Sequence, residues 1–189
     1  MKRTAVFAFF MVLLSAWPLW ALSEDDDVYG EDAIQRFNDR MPDKPEWREQ
    51  GLVIPPYPRD ADLIGIDIER AGFPYRVFVD GASLSVGKDD GVVRFTAVLR
   101  SRSGVDNVSF EGIRCTQHQY KRYAYGSGGK FHEIPHSDWK WLTHSRQDIY
   151  RNVLADQYLC PLPTGDPVPQ LLGKLKKGDD RYIFQGDLE

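Results

Sequence analysis

The alternation of apolar and polar positions is most decisive between Gly91 and Cys115. Over residues 92–100, Val93, Phe95, Ala97 and Leu99 share one parity while Arg94, Thr96 and Arg100 take the other, the period of two of a strand with one buried and one wet face. Residues 101–106 hold Ser101, Ser103, Gly104 and Asp106, which suit a chain reversal. Residues 107–115 return as the partner strand with a flawed alternation: Val108 and Phe110 lie on one parity, Ile113 and Cys115 on the other. A bulge at Gly112 would gather all four on one face, and the competing reading is a strand covered on both sides; the bulge is preferred here.

Three further strands precede this hairpin, over residues 63–69 (Ile64, Ile66 and Ile68 against Asp67 and Glu69), 75–80 and, briefly, 82–86. Another is expected over 122–125. Ser145 to Asp148 fits a capping pattern, and Ile149, Tyr150, Val153 and Leu154 form an apolar stripe behind it, which predicts a helix over 146–157 that returns Cys160 toward Cys115. Asp166 is placed to cap a short basic helix over 167–177, and 181–185 reads as a last strand. Nearer the start, 32–40 can form a turn or two of helix before Pro42 and Pro45. Pro55, Pro56 and Pro58 force residues 47–59 into an extended path, expected to lie over the domain with Trp47 and Tyr57 as anchors. The fold expected is therefore α+β: a single domain with an antiparallel sheet of about five to six strands and one main helix packed against it.

The first residues change where this fold is expected to work. Lys2 and Arg3 precede an apolar run, then Ser15, Ala16, Pro18, Ala21 and Ser23, the order of charge, apolar stretch and small residues that marks a cleavable export signal over 1–23. A membrane anchor needs about 20 uninterrupted apolar residues, and Ser15 and Pro18 break this run. Glu24, Asp25, Asp26 and Asp27 then open an acidic segment, 24–45, expected to be partly disordered, ahead of a globular domain over 46–185. Cleavage leaves 22 basic against 28 acidic residues, a net charge of −6. That balance argues against nucleic acid or anionic lipid as a partner. Cys115 and Cys160, 45 positions apart, are expected to be bridged in an oxidising compartment; on the chain-entropy account such a loop contributes up to about 4 kcal/mol.

His132, Glu133 and His136 match H-E-x-x-H, in which two histidines on one helix face bind zinc and the glutamate activates water. His144 or Glu111 could be invoked as a third ligand. Pro135 stands inside the motif, however, and a helix interior accepts proline only at a cost of about 3 kcal/mol. Residues 120–150 also crowd together Tyr120, Tyr123, Tyr125, Phe131, Trp139, Trp141 and Tyr150. These either fill the seam between sheet and helix or, through Trp139, Trp141 and Tyr125, stack on sugar rings.

Phe78, Val79 and Asp80, Ser83 and Leu84, the runs GVVRFT from Gly91 and SGVDNVSFEGIRC from Ser103, Lys121 with Tyr123, Ala124 and Gly126, and Tyr158, Leu159, Cys160, Pro161 together resemble the family named for cryptic neisserial protein. The resemblance spans residues 46–163. It implies a single-domain periplasmic protein of Gram-negative bacteria, and it brings no catalytic or binding residues, because the family has no assigned activity. Residues 132–136 are not among those that carry it. The leading expectation is a noncatalytic binding or envelope-associated module with no cofactor, whose partner the sequence does not name. A zinc-dependent hydrolase at His132, Glu133 and His136 and a glycan-binding module are the alternatives.

Overall fold

The strands follow one another in space as they do in sequence. The computed structural model describes residues 46–186, and from Trp47 onward they belong to one unit. The expected export signal, the acidic segment and the short helix over 32–40 lie outside the described residues. Seven antiparallel strands make one sheet: β1 (Leu63–Ile66), β2 (Tyr75–Val86), β3 (Val92–Ser101), β4 (Asp106–Arg114), β5 (Gln119–Ser127), β6 (Lys130–Glu133) and β7 (Lys140–Trp141). They run β1-β2-β3-β4-β5-β6, and β6 and β7 share one edge of β5, pairing with residues 124–127 and 119–120.

The single antiparallel sheet of an α+β fold is as expected, and among the described residues it has six strands along its path and a short seventh, β7, beside β6, against the five to six expected. Residues 75–80 and 82–86 form one strand, because Ser83 bridges the irregularity between them. Its hydroxyl donates to the Asp80 carbonyl (2.8 Å) and accepts from the Thr96 amide (2.8 Å), standing in for the backbone ladder where the β2–β3 register shifts. Two short strands after the glycine turn, β6 and β7, escaped the pattern altogether.

The helical part differs more. The expected helix over 146–157 begins later, as α1 (Ile149–Val153), and continues as a wider π-helical turn (Leu154–Leu159). The main helix is instead α2 (Pro167–Gly186), which absorbs the short helix expected over 167–177 and replaces the strand expected over 181–185. Gly178 does not end it: a Cβ there would lie 2.7 Å from the Tyr158 hydroxyl, so the glycine serves close packing within the helix.

Both faces of the sheet are covered. On one, Val79, Val93, Phe95 and Ile113 pack under Leu154, Tyr158, Leu171 and Leu175. On the other, Phe110, Tyr123 and Ala124 lie under Leu52, Ile54 and Phe131. The extended strap over residues 47–59 is anchored as its prolines suggested: the Trp47 indole donates to the Asp90 carbonyl (2.9 Å), and the Tyr57 ring lies 5.5 Å from that of Phe131. The β3 face expected to be wet is therefore dry, and Arg94 is buried there against Asp90 (2.6 Å).

This two-sided cover decides the question at Gly112. All of residues 108–113 are buried, and β4 pairs with β3 without a slip. The glycine is required because a Cβ would stand 2.6 Å from the Tyr123 hydroxyl and 2.9 Å from Val92 Cγ1. The register shift falls one strand over: Phe110 faces Ala124 and Glu111 faces Arg122, leaving Tyr123 as the extra residue. Cys115, immediately after β4, is joined by a disulfide to Cys160 at the end of the π-helical turn, with Cα atoms 5.5 Å apart. Among the described residues no helix is long and apolar enough to cross a membrane.

Candidate functional site

The extra residue in β5 assembles the site. Successive side chains of a strand point to opposite faces, so Arg122 and Tyr125, three apart, would ordinarily diverge. The bulge at Tyr123 resets the alternation and places both on the helix side of the sheet. There Arg122 stands opposite Glu111, Tyr125 opposite Ser109, and Tyr120 opposite both Ile113 and Lys140. The short α1 covers only part of this face. Beyond Tyr150 and Arg151 the sheet is left open as a cleft of about 810 Å³, bordered by Asn107, Ser109, Tyr120, Arg122, Tyr125 and Gln147. Small-molecule sites run from about 300 to 1,000 Å³.

Beneath the cleft is a closed charge cluster. Glu111, fully buried, accepts from Arg151 Nε at Oε2 (2.7 Å) and from Arg151 Nη2 at Oε1 (2.7 Å), a bidentate grip. Its Oε1 also accepts from the hydroxyls of Ser109 (2.7 Å) and Tyr150 (2.8 Å). Arg151 Nη1 donates to the Gln147 carbonyl (3.2 Å) and to Asp148 Oδ1 (3.1 Å). Asp148 Oδ2 accepts from Thr143 (2.6 Å) and Ser145 (2.9 Å). The pattern read as a helix cap is therefore spent on holding Arg151, and the Asp148 side chain caps no backbone amide. The Arg151 guanidinium also lies over the rings of Tyr120 (4.2 Å) and Tyr150 (4.5 Å).

These contacts set the protonation states. Burial drives the Glu111 carboxyl upward, but the Arg151 charge and hydrogen bonds outweigh it and hold the group below the usual carboxylate range. Burial, and then the neighbouring Glu111 charge, push the Tyr150 phenol well above its usual range. Ser109 and Glu111 have the spacing of a nucleophile and its base, yet a carboxylate held ionised by arginine is a poor proton acceptor at neutral pH. The cluster locks α1 to β4 and gives the cleft a rigid, polar floor.

One wall is aromatic. The Tyr125 ring stacks on His132, its partner across β5 and β6, with centroids 5.2 Å apart and planes 19° off parallel. On its other side stands Ser109, a small residue, so a flank of the ring borders the cleft. Tyr125 is 49% exposed.

The motif at residues 132–136 takes a different shape from the one its zinc reading needs. His132 and Glu133 end strand β6, where neighbours point to opposite sides, and His136 follows Pro135 in a left-handed turn (φ 55°). Glu111 is committed to Arg151, and His144 lines another hollow, beside Ile149 and Asn152. Among the described residues no group of three or more His, Cys, Asp or Glu side chains is arranged to hold a metal ion. The aromatic residues also separate. Tyr123 and Tyr150 are buried, and Trp139 packs edge-on against Trp47 (5.9 Å) and Tyr123 (6.5 Å) on the strap side. A common groove of Trp139, Trp141 and Tyr125 is therefore not formed, since Tyr125 stands on the helix side.

Sequence reading missed Arg122 and Arg151 and assigned Glu111 only a doubtful ligand role. The available signal was the placement of charges inside apolar runs: Glu111 between Phe110 and Ile113, and Arg151 between Tyr150 and Leu154.

The model described as the CNP1-like family matches residues 42–176, which include every cleft residue named above. The chain is similar to "Cryptic neisserial protein 1" of Neisseria gonorrhoeae (strain ATCC 700825 / FA 1090), at 28% identity over 155 residues, 72% of this chain and 75% of that protein. No solved structure matches.

Proposed function

The chain belongs to the CNP1-like family, and from that premise we propose that it is an exported, noncatalytic binding protein whose ligand lodges in the cleft above Glu111 and Arg151. The observation that carries the reading is the pairing of an open polar cleft with a floor whose charges are already satisfied. Such a floor offers a rigid, fixed shape without a group poised to transfer protons. Export to the periplasm is part of the proposal. Its support is the order of charged, apolar and small residues over 1–23, together with a bridged cysteine pair suited to an oxidising compartment.

Native mass spectrometry of protein recovered from the periplasm tests the reading. Asn107 is exposed at the mouth of the cleft, so Asn107→Trp should block it without disturbing the buried cluster. The expected result is a small molecule bound to the natural protein and absent from the variant. A bound species retained equally by both would contradict the reading, as would stoichiometric zinc that disappears in His136→Ala.

A further inference from the structure

Resting on the cleft as the ligand site, we propose that its occupant is a saccharide bearing a carboxylate. Glu111 and Arg151 satisfy each other, and Asp106 is held by Arg100 through two bonds of 2.7 and 2.8 Å. Arg122 reaches Glu111 only through Nε, at 3.4 Å, and its side chain is 47% exposed. Among the described residues its two terminal nitrogens have no ion-pair partner, and neither has Lys140. Lys140 stands across from Tyr120, and Arg122 follows two positions along the same face, so both cations flank one spot on the cleft wall. A planar guanidinium fork beside an ammonium group suits a carboxylate.

The rest of the cleft fits a polyhydroxylated ring. The flank of Tyr125, stiffened by His132, offers a flat apolar face for the carbon side of a sugar. Asn107, Ser109 and Gln147 provide amide and hydroxyl groups for its hydroxyls, and the Asp138 carboxylate at the rim can accept from one more. The chain as a whole is acidic, at −4, so its long-range field does not gather anions. Selection for the carboxylate must come from contact with Arg122 and Lys140.

Titration calorimetry on the periplasmic protein distinguishes the possibilities, with galacturonate and glucuronate dimers, N-acetylneuraminate and N-acetylmuramate as probes, and neutral galactose and glucose dimers as controls. At least one acidic sugar should bind, with its neutral counterpart roughly tenfold or more weaker. Arg122→Gln should weaken binding by roughly tenfold to a hundredfold, the range of a charge-assisted hydrogen bond. Tyr125→Ser should weaken it roughly threefold to tenfold. Arg102→Gln, at an exposed position outside the cleft, should leave it unchanged. Equal binding of neutral and acidic sugars overturns the carboxylate assignment. Binding of free glutamate or a short peptide, but of no sugar, with loss in Arg122→Gln, overturns the saccharide class while leaving the cleft as a ligand site. Failure of every probe, while Asn107→Trp still abolishes the species seen by mass spectrometry, overturns it in the same way.

Discussion

Replacing Glu111 with glutamine keeps the shape of the side chain and removes the charge that faces Arg151. The amide oxygen can still accept from Ser109 and Tyr150, but the new NH₂ must oppose Arg151 Nε, to which Glu111 is now bonded at 2.7 Å. Arg151 is 1% exposed, so its charge cannot turn to water, and the neutral amide oxygen at Nη2, Gln147 and Asp148 are all that remain to it. Breaking a buried pair from one side costs about 3–5 kcal/mol. Asp148 compensates in part, which places the expected loss near 3 kcal/mol, or roughly 10 °C in Tm, against a total stability on the order of 5–15 kcal/mol. Urea denaturation at pH 7 with the disulfide intact measures it. The pH dependence supplies a second check. In the natural protein the folded Glu111 carboxyl titrates below its ordinary value of 4.5, so its contribution is complete above that value and is lost as pH falls through the folded one. In Arg151→Met, burial acts with its chief opponent removed and raises the carboxyl instead. Stability is then lost as pH rises from 4.5 to the raised folded value, the opposite sign. The gap between natural protein and Arg151→Met should therefore widen from pH 4 to pH 7. A Glu111→Gln loss below about 1 kcal/mol, or a gap indifferent to pH, would show that the buried pair does not hold α1 to β4 by its charge.

Three other outcomes follow from contacts elsewhere in the fold. Tyr123→Phe removes the hydroxyl that donates to Glu49 (2.6 Å), a link between strap and sheet; amide exchange over residues 47–54 should accelerate at a cost of about 1 kcal/mol, and unchanged exchange would show that the strap is held by other contacts. Gly112→Ala should destabilise by about 1–3 kcal/mol in thermal melts through overpacking against Tyr123 and Val92, whereas a neutral result would mean that the aromatic side yields freely. Nonreducing peptide mapping of periplasmic protein should recover the Cys115 and Cys160 peptides joined, and a double alanine replacement should cost up to about 4 kcal/mol; free thiols would reject the pairing.

The central hairpin was legible in the sequence because its alternation and its turn residues agree. Arg100 and Asp106 even meet across the turn as a register pair joined by two hydrogen bonds. The prolines announced the strap, but not that it would seal the polar face of β3, since Arg94 reads as exposed until Asp90 is known to face it. The Gly112 bulge was misplaced because a strand buried on both sides and a bulged strand leave the same broken alternation. Only the bulk of Tyr123 above the glycine distinguishes them. Residues 181–185 alternate like a strand, yet the helix begun at Pro167 carries through them without a proline to stop it. The cleft was the least legible part. Its defining act, the β5 slip that brings Arg122 and Tyr125 to one face, depends on register against β4 and leaves no local signature. Arg151 carries a weaker hint, its place between Tyr150 and Leu154, but a lone arginine there reads equally well as a solvated helix position until Glu111 is known to face it.

On this reading the face above the Glu111–Arg151 pair receives a small molecule. The most direct test is to map amide chemical shifts of the isotope-labelled protein while adding the low-molecular-weight fraction of a periplasmic extract. Saturable changes centred on Asn107, Ser109, Arg122, Tyr125 and Lys140 are expected. Changes confined to the strap over residues 47–59, or a spectrum that does not move, would contradict the account.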